Sequence, residues 1–498
     1  MIRLTIKDVL NAVGGRLIQG DKNACINGVS TDSRNISNGE LFFALKGPRF
    51  DGHSFVNDVL KKGAAGVIVQ REEPAAKESE KGGKGEREIK IFSDSPILRF
   101  SDSNPQFGIV QVEDTLSALG NLARYWREMH PVPLIAVSGS CGKTTTKEMI
   151  AAILKTSRSI IKTQGNLNNL IGLPLTIFRL NNIHKAAVLE LGISEKGEMK
   201  KLAQICKPDV AVLTNISEAH TATLGNVEGV ASAKGELFQN MDTHGAAIIN
   251  IDDPQLRNMA ENIKMKKITF SLQSKADVML KEVKSTGQGV RNSGGIAAAF
   301  LVMGKEIPVR LKYAGMHNLY NAASAIAATI PLGATKEEII DGLYSTEPMH
   351  GRMEIVILEN GITVIDDTYN ANPLSMEASL KTLADMKGRK IAVLGDMLEL
   401  GSIAIASHKN IGRLVHEMGI DMLFTIGDFS NNFMSGAIDA GMAADTIHKA
   451  TDKSGLVEIL NSIIKQGDNI LVKGSRGMKM EEVVEKLQDT SCKLQVKK

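Results

Sequence analysis

One stretch decides the fold around it, because an apolar run there changes into small residues and then into a helical pattern: Pro133-Leu-Ile-Ala-Val-Ser-Gly-Ser-Cys-Gly-Lys-Thr-Thr-Thr-Lys-Glu-Met149. The run Leu134 to Val137 predicts a buried strand. Gly139 and Gly142 allow a turn whose N–H groups can face an anion. The helix that follows adds its positive end and the ammonium of Lys143. The stretch therefore predicts a phosphate site.

The loop is shorter than the usual nucleotide-binding pattern. That pattern would place its first glycine at Val137, whereas only Ser140 and Cys141 separate the two glycines here. Lys and Thr follow the second glycine as the pattern requires, and the Thr144 hydroxyl can bind Mg²⁺. A Gly-rich turn without a ligand is the alternative, and the Gly-Lys-Thr order argues against it.

The composition is that of a globular chain without a strong charge bias. With 498 residues, 43% of them apolar, the chain can form about three domains with separate cores. Lys and Arg number 59 against 56 Asp and Glu, and there are one Trp and five Tyr. This gives no electrostatic argument for a nucleic-acid or membrane partner and few rings on which bases could stack.

The lack of a recognisable targeting signal and the spacing of the cysteines indicate the cellular compartment. Residues 1–8 lack an apolar core of signal-peptide length, and the uncharged stretch 313–335 contains polar residues that suit a buried helix better than a membrane span. The cysteines have neither metal spacing nor a disulfide framework: Cys25, Cys141, Cys206 and Cys492. We therefore expect a cytoplasmic protein.

The first part of the chain predicts a small α/β domain. Within it, Ser30-Thr-Asp-Ser-Arg34 precedes an apolar strand, so its hydroxyls and guanidinium could line a pocket for a polar ligand. The same residues are also typical of a plain turn. Residues 71–90 are Lys, Glu and Gly with almost nothing apolar, which predicts a flexible surface excursion without function.

In the middle of the chain, apolar runs alternate with helical patterns and predict a mostly parallel sheet covered by helices. The runs 134–137, 186–189 and 210–213 end in polar residues, which meet at one edge of an open α/β sheet. Runs at 267–271, 298–302 and 307–311 surround a Gly-rich region and predict an antiparallel excursion.

The polar strand ends of this central region supply candidate metal ligands. A Mg²⁺ ion on nucleotide phosphates prefers oxygen ligands such as those of Thr144 and Glu190. Asp209 and Glu218 are alternatives for the carboxylate. His220 is a less usual ligand, and a lone His at a strand end is more often a hydrogen-bonded scaffold residue.

The last part of the chain predicts a second doubly wound sheet. Its strand candidates are 354–358, 363–366, 390–394, 422–425 and 469–472, spaced by helices. Polar stretches follow three of them, at 366–373, 395–401 and 473–479. Two polar sheet edges that face each other could close over reactants and exclude water.

Several stretches together resemble the ATP-dependent Mur ligases of bacterial cell-wall synthesis. They are Gly139-Ser-Cys-Gly-Lys-Thr-Thr145, Gly165-Asn-Leu-Asn-Asn-Leu-Ile-Gly-Leu-Pro174, Asn318-Leu-Tyr-Asn-Ala322, His350-Gly-Arg-Met-Glu354, Asp366-Asp-Thr-Tyr-Asn-Ala-Asn-Pro373 and Lys473-Gly-Ser-Arg-Gly-Met-Lys479. They are most similar to the member that joins D-alanyl-D-alanine to a UDP-N-acetylmuramoyl tripeptide. Such a set in this order is far more specific than the loop alone.

The resemblance implies an α/β protein of three domains. These are a UDP-sugar-binding domain at 1–115, a central P-loop-type ATPase domain at 116–347, and a Rossmann-like domain at 348–498 that closes over ATP and the dipeptide. ATP, with Mg²⁺, would phosphorylate the tripeptide carboxylate, and the dipeptide amine would displace phosphate to form the pentapeptide precursor of peptidoglycan. We expect a monomer whose partners are these small molecules.

The resemblance also implies roles for individual residues. The catalytic set is Lys143, Glu190, His220 and Lys234, with Thr144, Glu190 and His220 on metal and Lys234 aligned with a lysine that is carbamylated in some relatives. The ATP set is Gly139, Ser140, Cys141, Gly142, Lys143, Thr144, Thr145, Asn321 toward the base, Arg352 toward the phosphates and Asp367 toward the ribose. The UDP-sugar set is Ser30, Thr31, Asp32, Ser33, Arg34, Asn166 and Asn169. The dipeptide set is Asn370, Asn372, Ser475 and Arg476.

Three other functions compete with this one. A ligase that adds the third amino acid would carry Asp-Asn-Pro-Arg where this chain has Ala371-Asn-Pro-Leu374. Folate polyglutamylation does not suit a first domain of UDP-sugar type placed before the ATPase. A nucleotide switch would not need a second polar sheet edge.

Overall fold

The computed structural model describes residues 3–48, 50–71, 107–284 and 295–495, with side chains to residue 489. Most of the predicted excursion at 71–90 and the Gly-rich region before Ile296 lie outside these ranges. The chain divides into two compact units. Unit 1 comprises 1–132, 163–185 and 201–207, and unit 2 comprises 133–162, 186–200 and 208–498.

Unit 1 is built on a five-stranded sheet. Its order is β2-β9-β8-β5-β4, parallel except for β2, and it packs over a core that includes Phe42, Val67 and Ile109. The elements of residues 1–132 are β1 (Leu4–Thr5), α1 (Ile6–Val13), β2 (Arg16–Gly20), β3 (Cys25–Ile26), β4 (Gly28–Ser30), β5 (Glu40–Phe43), β6 (Lys46–Gly47), β7 (Phe50–Asp51), α2 (Val56–Lys61), β8 (Gly66–Gln70), β9 (Gly108–Val112) and α3 (Thr115–Met129).

A nine-stranded sheet forms the first part of unit 2. Its order is β11-β12-β10-β13-β14-β15-β16-β17-β18, parallel up to β16 and antiparallel beyond it. The elements of residues 133–347, of which α5 and residues 201–206 of α6 belong to unit 1, are β10 (Leu134–Ser138), α4 (Lys143–Lys155), β11 (Ile160–Lys162), α5 (Gly172–Ile177), β12 (Ala186–Glu190), α6 (Glu198–Cys206), β13 (Val210–Leu213), α7 (Thr221–Leu224), α8 (Val227–Gln239), β14 (Ala246–Asn250), α9 (Pro254–Ala260), β15 (Lys266–Ser271), β16 (Val278–Lys284), β17 (Ile296–Val302), β18 (Lys305–Leu311), α10 (His317–Thr329) and α11 (Lys336–Ser345).

The predicted antiparallel excursion is only partly correct. β15 pairs in parallel with β14 and belongs to the main sheet, whereas β16, β17 and β18 form the antiparallel extension of that same sheet. A short β-branched run indicates a strand but does not encode its direction, which the pairing partner decides.

A six-stranded sheet forms the rest of unit 2. Its order is β19-β20-β24-β21-β22-β23, with only β19 antiparallel to its neighbour, which confirms the predicted doubly wound sheet. Its elements are β19 (Glu354–Ile357), β20 (Thr363–Asp367), α12 (Pro373–Ala384), β21 (Lys390–Gly395), α13 (Ala404–Glu417), β22 (Met422–Ile426), α14 (Ser430–Asp439), β23 (Ile447–Ala450), α15 (Lys453–Ile463), β24 (Asn469–Lys473) and α16 (Glu481–Gln495).

Short 3₁₀ turns join several of these elements, at Gly52–Phe55, Ile330–Leu332, Gly401–Ile403, Ala444–Thr446 and Arg476–Met478. Over the described ranges, no helix combines the length and the apolar character that a membrane crossing needs. The parallel strands of both sheets in unit 2 end in polar loops, and those loops carry the candidate site.

Candidate active site

The loop between β10 and α4 has the backbone that its two glycines permit. Gly139 and Gly142 have φ angles of 142° and 78°, in the region that side chains disfavour. A Cβ on Gly142 would lie 2.2 Å from Asn321 Oδ1, and one on Gly139 would lie 2.0 Å from Thr214 Oγ1. Glycine is therefore required here both for conformation and for space.

The segment after β13 clamps this loop. Asn215 accepts hydrogen bonds from the Ser140 N–H through its carbonyl at 2.9 Å and from the Cys141 N–H through its side chain at 2.9 Å. Ser217 N–H donates to Ser140 Oγ at 2.9 Å. Two loop N–H groups are thus used within the protein, and an anion would rely on Lys143 and the start of α4.

Lys143 curls back over the loop. Its Nζ donates to Gly139 O at 2.9 Å and to Ser140 O at 3.3 Å, so the ammonium lies against the loop that is predicted to bind phosphate. Burial lowers the pKa of Lys143, the Glu190 carboxylate opposes that shift, and the Arg352 guanidinium adds to it. The predicted loop residues therefore lie close together, with Thr144 and Thr145 buried in the first turn of α4.

Glu190 ends β12, the strand next to β10, and is 3% exposed. Its Oε2 lies 3.8 Å from Nζ of Lys147, which in turn lies 3.0 Å from Glu148 Oε1. The sequence prediction missed Lys147, although its position four residues after Lys143 puts it on the same face of α4. Thr144 and Glu190 both offer buried oxygens beside the loop, and such oxygens fit Mg²⁺.

The other two predicted catalytic residues lie after β13 and on α8. His220 has its Nδ1 2.6 Å from Oε2 of Glu399, a residue that the sequence prediction did not single out. Burial lowers the pKa of His220, the charge of Lys234 adds to this, and Glu399 opposes it. Lys234 is 1% exposed, and burial with the nearby charge of Lys143 lowers its pKa to about 7.

Asn321 and Arg352, the residues predicted to contact the adenine and the phosphates, differ in their contacts with the rest of the protein. The amide of Asn321 bonds to Thr146 at 3.3 Å and to Asn318 at 2.9 Å, against the loop. The guanidinium of Arg352 lies 3.9 Å above the ring centroid of Tyr369, and no described residue accepts a hydrogen bond from its buried Nε. These positions suit a ligand-facing Arg352 and a loop-supporting Asn321.

Asp367 is bound by the protein itself. Its Oδ2 accepts from Ser379 Oγ at 2.6 Å and forms a short ion pair with Lys473, and its Oδ1 accepts from the Met353 N–H at 3.2 Å. A ribose hydroxyl would have to share these oxygens. Lys473 is buried and was missed as an individual residue, although it ends a predicted strand.

The predicted dipeptide residues cluster at the edge of the C-terminal sheet. Asn370 accepts from Lys473 Nζ at 3.1 Å through its carbonyl and from the Arg476 N–H at 3.3 Å through its side chain. Ser475 Oγ accepts from the Leu398 N–H at 2.8 Å. Asn372 caps α12, and its side chain also contacts Sγ of Cys141 at 3.1 to 3.2 Å.

A cleft of about 250 Å³ opens at this edge. Its lining is His350, Gly351, Thr368, Tyr369, Arg476, Glu481 and Glu485. Beside it, the ligand atoms of His350, Glu354 and Asp366 lie within 4.8 Å of one another. Because His350 Nδ1 faces both carboxylates, at 3.0 and 3.7 Å, an N–H there accounts for the cluster without a metal.

The predicted UDP-sugar residues lie in unit 1 and form two separate groups. In the loop after β4, the guanidinium of Arg34 holds Asp32 at 2.8 to 2.9 Å and lowers the pKa of that carboxyl to about 2. Asn169 accepts from the N–H groups of Ile171 and Gly172, and Asn166 precedes it in the same turn. Among the described side chains, no hydrogen bond joins the two groups.

The edge of the central sheet therefore collects cations around a loop of phosphate-binding shape. Buried ammonium groups, a strand-end carboxylate and a hydroxyl at a helix start are the groups that stabilise charge on a transferring phosphoryl group. The arrangement can support chemistry on nucleotide phosphates.

Three family models match successive parts of the chain. The model described as "Mur ligase family, catalytic domain" matches residues 25–127, "Mur ligase middle domain" matches 137–329, and "Mur ligase, glutamate ligase domain" matches 351–476.

Whole-chain comparisons agree with these models. UDP-N-acetylmuramoyl-tripeptide–D-alanyl-D-alanine ligase of Bacillus subtilis (strain 168) is 36% identical over 490 residues, which cover 98% of this chain and 99% of that one. A MurF structure from Acinetobacter baumannii is 30% identical, with a TM-score of 0.84 over 98% of this chain and 99% of that one. The MurF ligase of Thermotoga maritima in complex with ADP is 28% identical, with a TM-score of 0.79 over 94% and 98%. This chain belongs to the Mur ligase family.

Proposed function

We propose that this chain joins D-alanyl-D-alanine to UDP-N-acetylmuramoyl-tripeptide and releases ADP and phosphate. The product would be the pentapeptide precursor of peptidoglycan. The names of relatives similar over the whole chain support this reaction. The observation that carries it in the structure is the edge of the central sheet, where Lys234 and Glu190 are buried and Lys143 is half-buried beside a phosphate-type loop.

The chemistry explains why such an edge is needed. A carboxylate is a poor electrophile because its leaving group would be oxide. An oxygen of the tripeptide carboxylate attacks the γ-phosphorus of ATP, and ADP leaves. The dipeptide amine then attacks the acyl carbon, loses a proton to solvent, and phosphate leaves with the carboxylate oxygen. Negative charge on the moving phosphoryl group must be met by positioned cations.

Six of the predicted residues have a part in this scheme. Lys143 would meet the charge on the β- and γ-phosphates, and Arg352 would orient them. Thr144 and Glu190 would hold Mg²⁺, which would offset phosphate charge when bound. His220 would hold a second ion. Lys234, with a pKa near 7, has enough neutral amine to react with CO₂, and the resulting carbamate would replace a cation with an anion.

The three predicted domains remain part of the proposal. Each of the segments 1–115, 116–347 and 348–498 contains its own sheet, which supports a separate role in binding UDP-sugar, ATP and dipeptide. The segment 348–498 would close over ATP and the dipeptide. We also propose that the chain acts as a monomer in the cytoplasm.

Release of ADP by the purified protein tests the function. We expect release to require both UDP-N-acetylmuramoyl-tripeptide and D-alanyl-D-alanine, and ¹⁸O in the tripeptide carboxylate to appear in the phosphate. Assays with the lysine and the diaminopimelate tripeptide would identify the third residue. Turnover of a UDP-sugar dipeptide with a free amino acid would replace this function by that of the neighbouring ligase, and ADP release without either acceptor would indicate a switch.

A further inference from the structure

A hydrogen bond joins the two polar sheet edges of unit 2. His220 follows β13 of the central sheet, and Glu399 follows β21 of the C-terminal sheet. Their side chains meet with Nδ1 to Oε2 at 2.6 Å, although 179 residues separate them in the chain. No spacing or motif in the sequence pairs the two loops.

The backbone on both sides is shaped for this contact. His220 and Glu399 both lie in the left-handed region, with φ of 57° and 64°, which non-glycine residues adopt only where the surroundings enforce it. Thr221 Oγ1 donates to Leu400 O at 2.9 Å, and the Ala222 N–H donates to Glu399 O at 3.2 Å. Three bonds therefore fix the junction.

The Glu399 carboxylate does not need His220 as a hydrogen-bond partner. The Glu399 side chain is 62% exposed, so water could satisfy it equally well, whereas His220 is 28% exposed. The main effect of the hydrogen bond is on the imidazole, because the bond fixes the orientation of the His220 ring. With Nδ1 donating to Glu399, Nε2 keeps its lone pair for a ligand. A carboxylate behind an imidazole is the usual support of a metal-binding histidine.

We propose that Glu399 is the positioning residue for His220, so that a loop of the C-terminal sheet completes the cation-binding edge of the central sheet. This rests on the proposed role of His220 toward a divalent cation. Glu399 itself touches neither substrate nor cation.

Binding of Mn²⁺ to the full-length protein with ADP tests the proposal without any ligase substrate. We expect Glu399→Ala to weaken Mn²⁺ binding, followed by electron paramagnetic resonance, by about 10- to 100-fold. Glu399→Gln should lose less, because its amide oxygen can still accept from Nδ1–H. His220→Ala should weaken the same Mn²⁺ site, which identifies the measured site as the one that His220 holds. Glu417→Ala, which removes a surface pair with Arg413 in the same domain, is the matched control and should bind as the unchanged protein does.

The double variant separates positioning from general structural loss. If Glu399 acts through His220, the double variant His220→Ala/Glu399→Ala should bind Mn²⁺ no more weakly than His220→Ala alone. In ligation assays the loss should appear as a higher Mg²⁺ requirement for kcat, with KM for the UDP-tripeptide unchanged. Additive losses, or Mn²⁺ binding by folded Glu399→Ala within twofold of the unchanged protein, would overturn the proposal. Glu399-dependent Mn²⁺ binding in a protein without ligase activity would overturn the proposed function and leave this inference standing.

Discussion

The two sheet edges of unit 2 differ in how their charged side chains are arranged. At the central edge like charges gather: Lys143 contributes to the lowered pKa of Lys234, and Arg352 contributes to that of Lys143. At the C-terminal edge opposite charges are paired, with Lys473 on Asp367 and Arg476 on Glu481. Both edges end parallel strands of an α/β sheet, so the fold alone does not explain the difference.

The difference indicates what each edge is for. Crowded buried cations destabilise a protein by themselves and become favourable when an anion arrives. Paired charges are already satisfied and fix loop positions. The central edge therefore suits a ligand with several negative charges, whereas the ion pairs at the C-terminal edge hold its loops in place.

Loss of the loop ammonium should have the largest effect. We expect Lys143→Ala to lower kcat by at least about 1,000-fold, because a charge that meets the phosphoryl group in the transition state is removed. Binding of the UDP-sugar, measured by calorimetry, should stay within a few-fold. Lys155→Ala, at the exposed end of the same helix, is the control. Equal loss of catalysis and UDP-sugar binding would contradict the separation of roles.

Breaking the Lys473–Asp367 ion pair at the C-terminal edge should lower the stability of the protein. Lys473 is 2% exposed, and Lys473→Met would leave the Asp367 carboxylate buried without its cation. We expect the free energy of unfolding, measured in urea, to fall by about 3 to 5 kcal/mol. Lys453→Met, which breaks the more exposed pair with Glu482, should change it by less than about 1 kcal/mol. Equal effects of the two variants would show that the Lys473 pair is no more than a surface contact.

Local patterns in the sequence predicted the elements and most of the central edge. The step from apolar run to Gly-Ser-Cys-Gly-Lys-Thr predicts strand, loop and helix because each feature depends on neighbours in the chain. Glu190 could be predicted because strand ends of a parallel sheet share an edge.

Side-chain partners far apart in the chain could not be predicted in this way. The contact of Glu399 with His220 depends on how two sheets meet, and no spacing in the sequence carries that information. The pairing of Asp367 with Lys473 depends on β20 lying beside β24, an order that is visible only in three dimensions. The same limit explains why the sequence pattern predicts β15 as part of the antiparallel excursion, whereas it pairs in parallel with β14.

The last effect we expect has the opposite sign to that of Lys473→Met. The pKa of Lys234 falls from 10.5 to about 7 on folding, so the folded chain binds fewer protons between these values and its stability rises with pH across that window. Lys234→Met removes the burial of an ammonium, and at pH 7 in CO₂-free buffer it should stabilise the protein by about 4 to 5 kcal/mol. The gain should vanish near pH 10.5, where the unfolded chain also loses the proton. The exposed Lys200→Met should show no such slope, and a destabilised Lys234→Met with an unchanged pH profile would mean that the central edge does not carry excess positive charge.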